Sequence, residues 1–591
     1  MRHHGKTWSS RLRATALLLA IPALLAALGV WARIEAKPPK NWIEFKGGRL
    51  IYGEDQLGNR IPDFSTAGYG GGGVEIPNVP VRGTLDPVAS GDDTPRIQAA
   101  IAAIAQLPLD EKGFRGALLL HAGTYRIAGT IKLNASGIVL RGDGNGKDGT
   151  ILVAEGMPRT VIRVAGEGRW EEDGPRHAIL GAYVPVGANT ILVEDDHDLK
   201  VGDAVIVDWA MDALFIQTIG MDRIPPRKDG RTVRQWEPGM GLKFDRRIVA
   251  VEHRDNGERI TLDAPLTNGM YRMQGATVWR YKFPGRIGHA GIENLRTDGS
   301  AFEKTKDFGT PQTLDENDRF VGGGYFDALL AAFDAVENAW MRNVVVTHYS
   351  RIVSIEGLAR AVTVEHIEGV DINTPETRAP AHAFGIDGEQ SLVQDCNITG
   401  AFNHVWMTQS RVAGPNVFRN CSAKGVHLDA GPHERWATGT LYERLHIEGS
   451  IDIQNRSNMG TGHGWSGAYN VLWNCEADSY VVESPPIAYN WAFGVKGWLA
   501  NADAEKKSVK RGQGGGNPPG QIISPAKHVE PESLYEEQLK ERLHGAIKVG
   551  VDCHPLATLS FRIDGVQVNG QVAVEVHPHD AGVQRPSLFD I

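Results

Sequence analysis

Cysteine is scarce in this chain, with four residues among 591. That is too few for a disulfide-built scaffold, and no pair has the spacing of zinc ligands. An excess of positive charge is also missing. The formal net charge is −9 and the pI about 6.1, which argues against nucleic acid as the main partner. Hydrophobic residues make up 41% and charged residues 23%, the balance of an ordinary soluble protein. Long apolar runs are absent except for one, from Ala14 to Trp31. What the chain has in quantity is glycine, 70 residues, between many short β-branched runs.

The single long apolar run follows Arg2, Lys6, Arg11 and Arg13. A basic stretch before an apolar core is the pattern of a secretory signal, so residues 1–36 are expected to be an export segment, cleaved after Ala27 or Ala36. Left uncleaved, a run of this length would serve as a membrane anchor. Either way the rest of the chain is expected in the periplasm or outside the cell, with a membrane as partner only if the segment is retained.

One short phrase recurs between residues 351 and 485: VSIEG, FGIDG, VWMTQ, GVHLD, SIDIQ and YVVES. Aligned on their apolar pair, the phrases place Glu356, Asp387, Gln409, Asp429, Gln454 and Glu483 at one position, spaced by 31, 22, 20, 25 and 29 residues. A unit this short cannot bury its apolar face alone, so copies must stack. Stacking predicts a line of six polar side chains on one surface, a candidate substrate track. A second set, RNVVV, EHIEG, DCNIT, NCSAK, RLHIE and NCEAD, advances at similar intervals. Two strand phrases per turn, with abundant glycine and no leucine-rich consensus, predict an all-β parallel β-helix. Cys396, Cys421 and Cys475 share one place in the second set. They are expected to stack inward as small apolar residues; a bridge between the neighbours Cys396 and Cys421 is the alternative.

Around this core the chain divides into recognisable parts. Residues 37–90 are rich in Gly and Pro and read as a segment lying on the body. At 91–107, Asp93 or Thr94 caps a helix with Pro95 in its first turn and Ile97, Ile101 and Ile104 as its apolar stripe. Coils are predicted over 91–500, interrupted at about 186–286 by a β-rich insertion. There 177–208 and 249–266 read as antiparallel hairpins, and the insertion is a candidate cleft wall. A linker is expected at 501–530, then a helix at 531–545 ending at Gly545, and a tail to 591.

The series GDDTP helix, LLLHAGTYRI and GIVLRGDG resembles the N-terminal cap and first coils of the pectate-lyase superfamily. The resemblance covers roughly residues 60–500. It implies a right-handed parallel β-helix whose open end the helix plugs, and an activity on polysaccharide.

Eight of the 20 histidines fall between residues 348 and 463. The densest stretches, 427–443 and 453–467, also carry arginine, tryptophan and glycine that a packed coil does not need. Loops on a rigid scaffold are where binding residues gather. Arginine suits a carboxylate, histidine moves protons near neutral pH, and tryptophan suits a sugar face. His427, His433, Arg435, Arg456 and His463 are therefore the candidate catalytic residues. Asp387, Gln409, Arg411, Asp429, Trp436, Asn455 and Trp465 are the candidate substrate contacts, whereas His366 and His446 are assigned to their coils.

Three functions are compatible with these residues. In β-elimination from a uronate polysaccharide, His427 or His433 serves as base and Arg435 or Arg456 neutralises the developing enolate. The resemblance adds calcium, for which Asp387 and Asp429 are the expected ligands. In glycoside hydrolysis, paired carboxylates flank the scissile bond, and Asp387 and Asp429 two phrases apart would suit inversion. Gly462-His463-Gly464 matches one motif of the polygalacturonase branch, whose Asp-Asp and Arg-Ile-Lys motifs are missing here. The third is a non-catalytic glycan-binding β-helix. A tailspike-like trimer is one form of it, against which the export segment argues.

Overall fold

The computed structural model describes residues 37–303 apart from 196 and 256, then 328–372, 382–500 and 517–548, with short strand pieces elsewhere. The expected export segment, residues 1–36, and most of the tail lie outside the described residues. Among the described residues no helix is long and apolar enough to cross a membrane.

A right-handed parallel β-helix forms the body, its coils joined in one 24-stranded parallel sheet. Three ladders of strands make its three faces. The first begins at Val81–Leu85 and Gly116–Leu120 and reaches Trp491–Phe493 and Gln521–Ile523. The second holds the expected RNVVV-type phrases, for example Glu368, Asn397 and Ser422 in register. The third runs from Ile131–Leu133 through Arg351–Ile355 and Phe384–Ile386, and carries the substrate-track phrases. Inside, Cys396 and Cys421 stack on Leu445 and Cys475, all fully buried, and the three cysteines are free thiols. The packing alternative therefore holds and the bridge does not form.

Helix α1 (Thr94–Ala105) buries Ile97, Ile101 and Ile104 on the first coils. Its first turn is anchored by Asp92, whose Oδ1 accepts the Thr94 and Ala128 N–H groups; the Asp93 side chain makes no cap bond. An apolar cross-section at the end of a solenoid needs such a cover.

The insertion is a six-stranded antiparallel sheet over Glu171–Lys282, starting earlier than the hydropathy pattern implies. Gly241–Arg254 and Gly257–Leu262 form the expected hairpin. Thr190–Val193 does not pair with Ala204–Ala210; it pairs with Gly257–Leu262, because Ala204–Ala210 is taken by Gly241–Arg254 and Thr277–Lys282. Helix α2 (Ala213–Thr218) and the segment after it face the coils. The coils continue past residue 500, since Gln521–Ile523 is a rung of the first ladder. Helix α3 (Leu534–Lys548) runs through Gly545 rather than stopping there. Its start is tied to the coils by Glu443, which accepts the Ser533 hydroxyl at 2.5 Å and the Tyr535 N–H at 2.9 Å.

Candidate active-site groove

The third ladder sets the track. Strand register places Glu356 beside Asp387, Asp387 beside Gln409, and Gln409 beside His433. Continued through Ala430↔Ile451 and Ile453↔Val482, the same column reaches Gln454 and Glu483. Five of the six expected positions are present, and the fourth is His433 instead of Asp429. Asp429 pairs with His404 and lies four residues earlier on its strand, ~13 Å away at ~3.3 Å per residue. Asp387 and Asp429 therefore do not share one site, neither as calcium ligands nor as a carboxylate pair. The first four column residues are half-buried and accessible, while Gln454 and Glu483 are buried. Under the track, a side chain on Gly385 would touch the Gln409 amide at 3.3 Å, with the Arg351 guanidinium 3.9 Å away. Glycine there keeps both groups at the groove floor.

Four imidazoles gather at the fourth coil. His433 lies 4.6 Å from His404, 4.7 Å from His463 and 5.3 Å from His382, ring centre to ring centre. Each has a different structural support. His382 bridges His404 on the next coil. His404 is buried, with Nδ1 at 2.6 Å from Asp429 Oδ1. That same oxygen accepts Arg456 Nη2 at 2.8 Å. Burial pushes the Asp429 carboxyl up, but Arg456 and His404 more than offset this and hold it well below the usual carboxylate range. Burial, reinforced by the neighbouring imidazoles, holds His382 and His433 in the neutral form well below the usual histidine value.

His463 is placed by glycine. A Cβ on Gly460, at φ +55°, would sit 2.1 Å from the His463 ring, so the loop closes flush on the imidazole. The loop is also held from the insertion side: Arg234 N–H donates to Thr461 O at 2.8 Å, and Arg227 donates to Asn458 O at 2.9 Å. His463 Nδ1 approaches Glu434 Oε2 to 2.5 Å, and Arg435 Nη1 reaches the same oxygen at 2.6 Å. Burial raises the Glu434 carboxyl, and the His463 ring and Arg435 guanidinium beside it bring it below its usual value. Arg435 also donates to Thr461 Oγ1 at 2.6 Å. Arg411 faces Glu434 and Arg435, and burial beside Arg435 lowers its guanidinium pKa.

The structure thus brings together His433, Arg435 and His463, with Gln409, Asp387 and Arg411 beside them. The His427 side chain lies outside the described ones. Arg456 is 1% exposed and acts on Asp429, not on the groove. Trp436 and Trp465 are corrections. Both are buried between insertion and coils, donating their N–H groups to Asn268 and to Ile219 O. They offer no face to a sugar. Asn455 uses its N–H on Glu483.

Residues that the phrase alignment misses are His382, His404, Glu434 and Asp452. Asp452 is pushed up to about 7 by burial and by the Asp429 carboxylate. Its outward alternation with Ile451 and Ile453 was the available signal.

Glu483 is likewise pushed up to about 7 by burial, from an ordinary value of 4.5. A carboxyl raised in the folded state stabilises fully below its unfolded value, and that contribution is lost as pH rises through the folded value. Stability of the parent should therefore fall between pH 4.5 and about 7 through Glu483. Glu483→Gln is expected to flatten that part of the profile, read as urea midpoints against pH. Parallel curves for parent and variant would contradict the assignment.

No family model matches the chain, and no curated protein matches it. Solved structures similar to it include the tailspike protein gp49 from Pseudomonas phage LKA1, at 12% identity and a TM-score of 0.37 over 69% of this chain and 56% of that one. The tailspike of E. coli bacteriophage HK620, in complex with a pentasaccharide, aligns at 9% identity and a TM-score of 0.36, over 70% and 55% of the chains. The Gp54 tailspike of Acinetobacter baumannii bacteriophage AP22, in complex with capsular saccharide, aligns at 8% identity and a TM-score of 0.25, over 70% and 71%. The chain spans 56%, 60% and 55% of the first three such structures.

Proposed function

We propose that this β-helix degrades an acidic polysaccharide outside the cytoplasm by β-elimination. The observation that carries the reading is the Glu434–His463 pair, set beside His433 and Arg435 at the accessible end of a polar column. A carboxylate that orients an imidazole is the arrangement of a general base. His463 takes the proton α to a uronate carboxylate. Arg435, with Arg411 behind it, neutralises the charge that develops on that carboxylate. The glycosidic C–O bond then breaks as the C=C bond forms. The departing sugar oxygen takes up a proton from solvent. The column from Glu356 to His433 is the floor on which neighbouring sugars rest.

A second reading, glycoside hydrolysis, draws on Glu356 and Asp387. They are neighbours on adjacent coils, ~4.8 Å apart by strand spacing. Burial and then the Glu356 charge raise Asp387 well above the usual range. A carboxyl raised in this way beside a second carboxyl suits the acid of a retaining pair, whose two groups stand ~5–5.5 Å apart. Incubation with a panel of uronate polysaccharides separates the two. Elimination yields an unsaturated product with ultraviolet absorbance, whereas hydrolysis yields new reducing ends without it. Neither signal across the panel would leave a glycan-binding protein and sink both.

A further inference from the structure

We propose that His382, His404 and His433 form a binding site for one divalent transition-metal ion of the zinc class. This goes beyond the elimination reading and does not rest on it, since the metal site is read without substrate.

Three coils each contribute one imidazole, and the ligand nitrogens all lie within 4.8 Å of one another. Tetrahedral coordination at bonds of ~2.0–2.1 Å needs nitrogens ~3.3 Å apart. Asp429 holds His404, so the rings of His382 and His433 are the ones that must turn to close that difference. Two features favour a metal over mere packing. Asp429 holds Nδ1 of His404, which leaves Nε2 as the donor atom. Carboxylate–histidine support of this kind fixes the tautomer and raises the basicity of a metal-bound imidazole. Arg456 in turn fixes Asp429, so the support is itself buttressed.

Arg456 is matched by Asp429, and Arg435 by Glu434, while Arg351 adds positive charge beside His382. The donor set also selects the ion. Calcium takes six to eight oxygen ligands, whereas three imidazoles suit zinc, cobalt or copper. Three protein ligands leave a fourth position, as in catalytic sites. His433 belongs to the accessible column, so that position opens on the groove. An anionic oxygen, from water or from a sugar carboxylate, is the ligand class it would accept. A second donor group, His433 with Glu434 and His463, lies beside the first and is the rival location.

The test uses the full chain, dialysed against chelator and titrated with cobalt(II). Expected is one ion per chain, with the visible d–d absorption of a tetrahedral site, displaced by zinc. His382→Ala and His433→Ala should each weaken binding by more than ~10²-fold, and Asp429→Asn by ~10–100-fold. His463→Ala should retain it. Circular dichroism and cooperative unfolding establish that each variant is folded; His382, half-buried at the start of its strand, is the safest of them. Stoichiometric binding that survives in folded His382→Ala would overturn the site. So would loss in His463→Ala alone, or stabilisation by calcium with no uptake of cobalt or zinc.

Discussion

Replacing His463 by alanine is expected to lower turnover on an acidic polysaccharide by ~10²–10⁴-fold, the usual contribution of a general base. KM should change little, because the imidazole acts on the proton being transferred and not on the sugar chain as a whole. His463 keeps 12% of its side chain exposed, and cooperative unfolding of the variant separates lost catalysis from lost packing. The neighbouring backbone bonds, such as Arg456 N to Gly464 O at 2.7 Å, do not involve the ring. Glu434→Gln separates the roles. It leaves the imidazole in place but removes the charge that orients it and that also pairs with Arg435, so a smaller fall in kcat is expected. The pH–rate profile should shift with it, which a merely structural glutamate would not cause. A His463→Ala enzyme that keeps more than about a tenth of the parent rate would leave the site without its base. In that case Glu356 and Asp387 become the catalytic pair to test.

Much of this groove was legible in the sequence, and the misses have physical causes. The repeat logic placed Glu356, Asp387, Gln409, Gln454 and Glu483 correctly, because strands that hydrogen-bond in parallel cannot drift in register while their apolar neighbours stay inside. It failed at the fourth copy. There GVHLD imitates the phrase, while the strand actually aligned is AGPHE, in which Ala430 supplies the buried contact that a branched residue supplies elsewhere. A break in regular pairing around Trp406, at φ +47°, lets the register shift between the two coils. His382 and His404 were invisible for a different reason. They lie on a neighbouring column, and single residues at coil corners carry no period. Tryptophan in the histidine-rich stretches was read as a sugar platform. Its true partner is the insertion, whose Phe215 and Trp236 pack on Trp436, and contacts between segments 200 or more residues apart leave no local trace. The same limit hid the end of the helix, since Gln521–Ile523 has no long apolar run to announce it.

The insertion matters to the site only if it is held on the coils, and Arg246 is one of the residues that hold it. Arg246 is fully buried. Its guanidinium donates to Ala264 O at 3.2 Å, Asp245 O at 2.9 Å and Pro265 O at 2.8 Å within the insertion. It also donates to Glu389 Oε2 at 2.7 Å and Gly414 O at 2.7 Å on the coils. All five N–H groups are used, so no water is needed to satisfy them. Arg246→Ala would take the guanidinium donor from four buried carbonyls and leave the buried Glu389 carboxyl with the Asp245 N–H alone. Breaking a buried pair from one side costs ~3–5 kcal/mol, and a loss of that size is expected in denaturant unfolding. Glu389→Gln should cost much less. Burial already raises Glu389 to about 7, despite Arg246 beside it, so the neutral amide replaces a group that is half protonated near neutral pH. The asymmetry is the signature of a guanidinium clamp: a double variant, Arg246→Met with Glu389→Gln, should recover part of the loss because it removes both charges together. Loop 456–465 depends on Arg227 and Arg234 of the same insertion. Arg246→Ala should therefore also loosen His463, seen as a fall in activity at temperatures where the coils remain folded. A cost below about 1 kcal/mol, the range of an exposed ion pair, would mean that the insertion is held by its apolar contacts and by other ion pairs such as Arg360–Asp263 and Arg247–Glu337, and the groove wall would then owe nothing to this arginine.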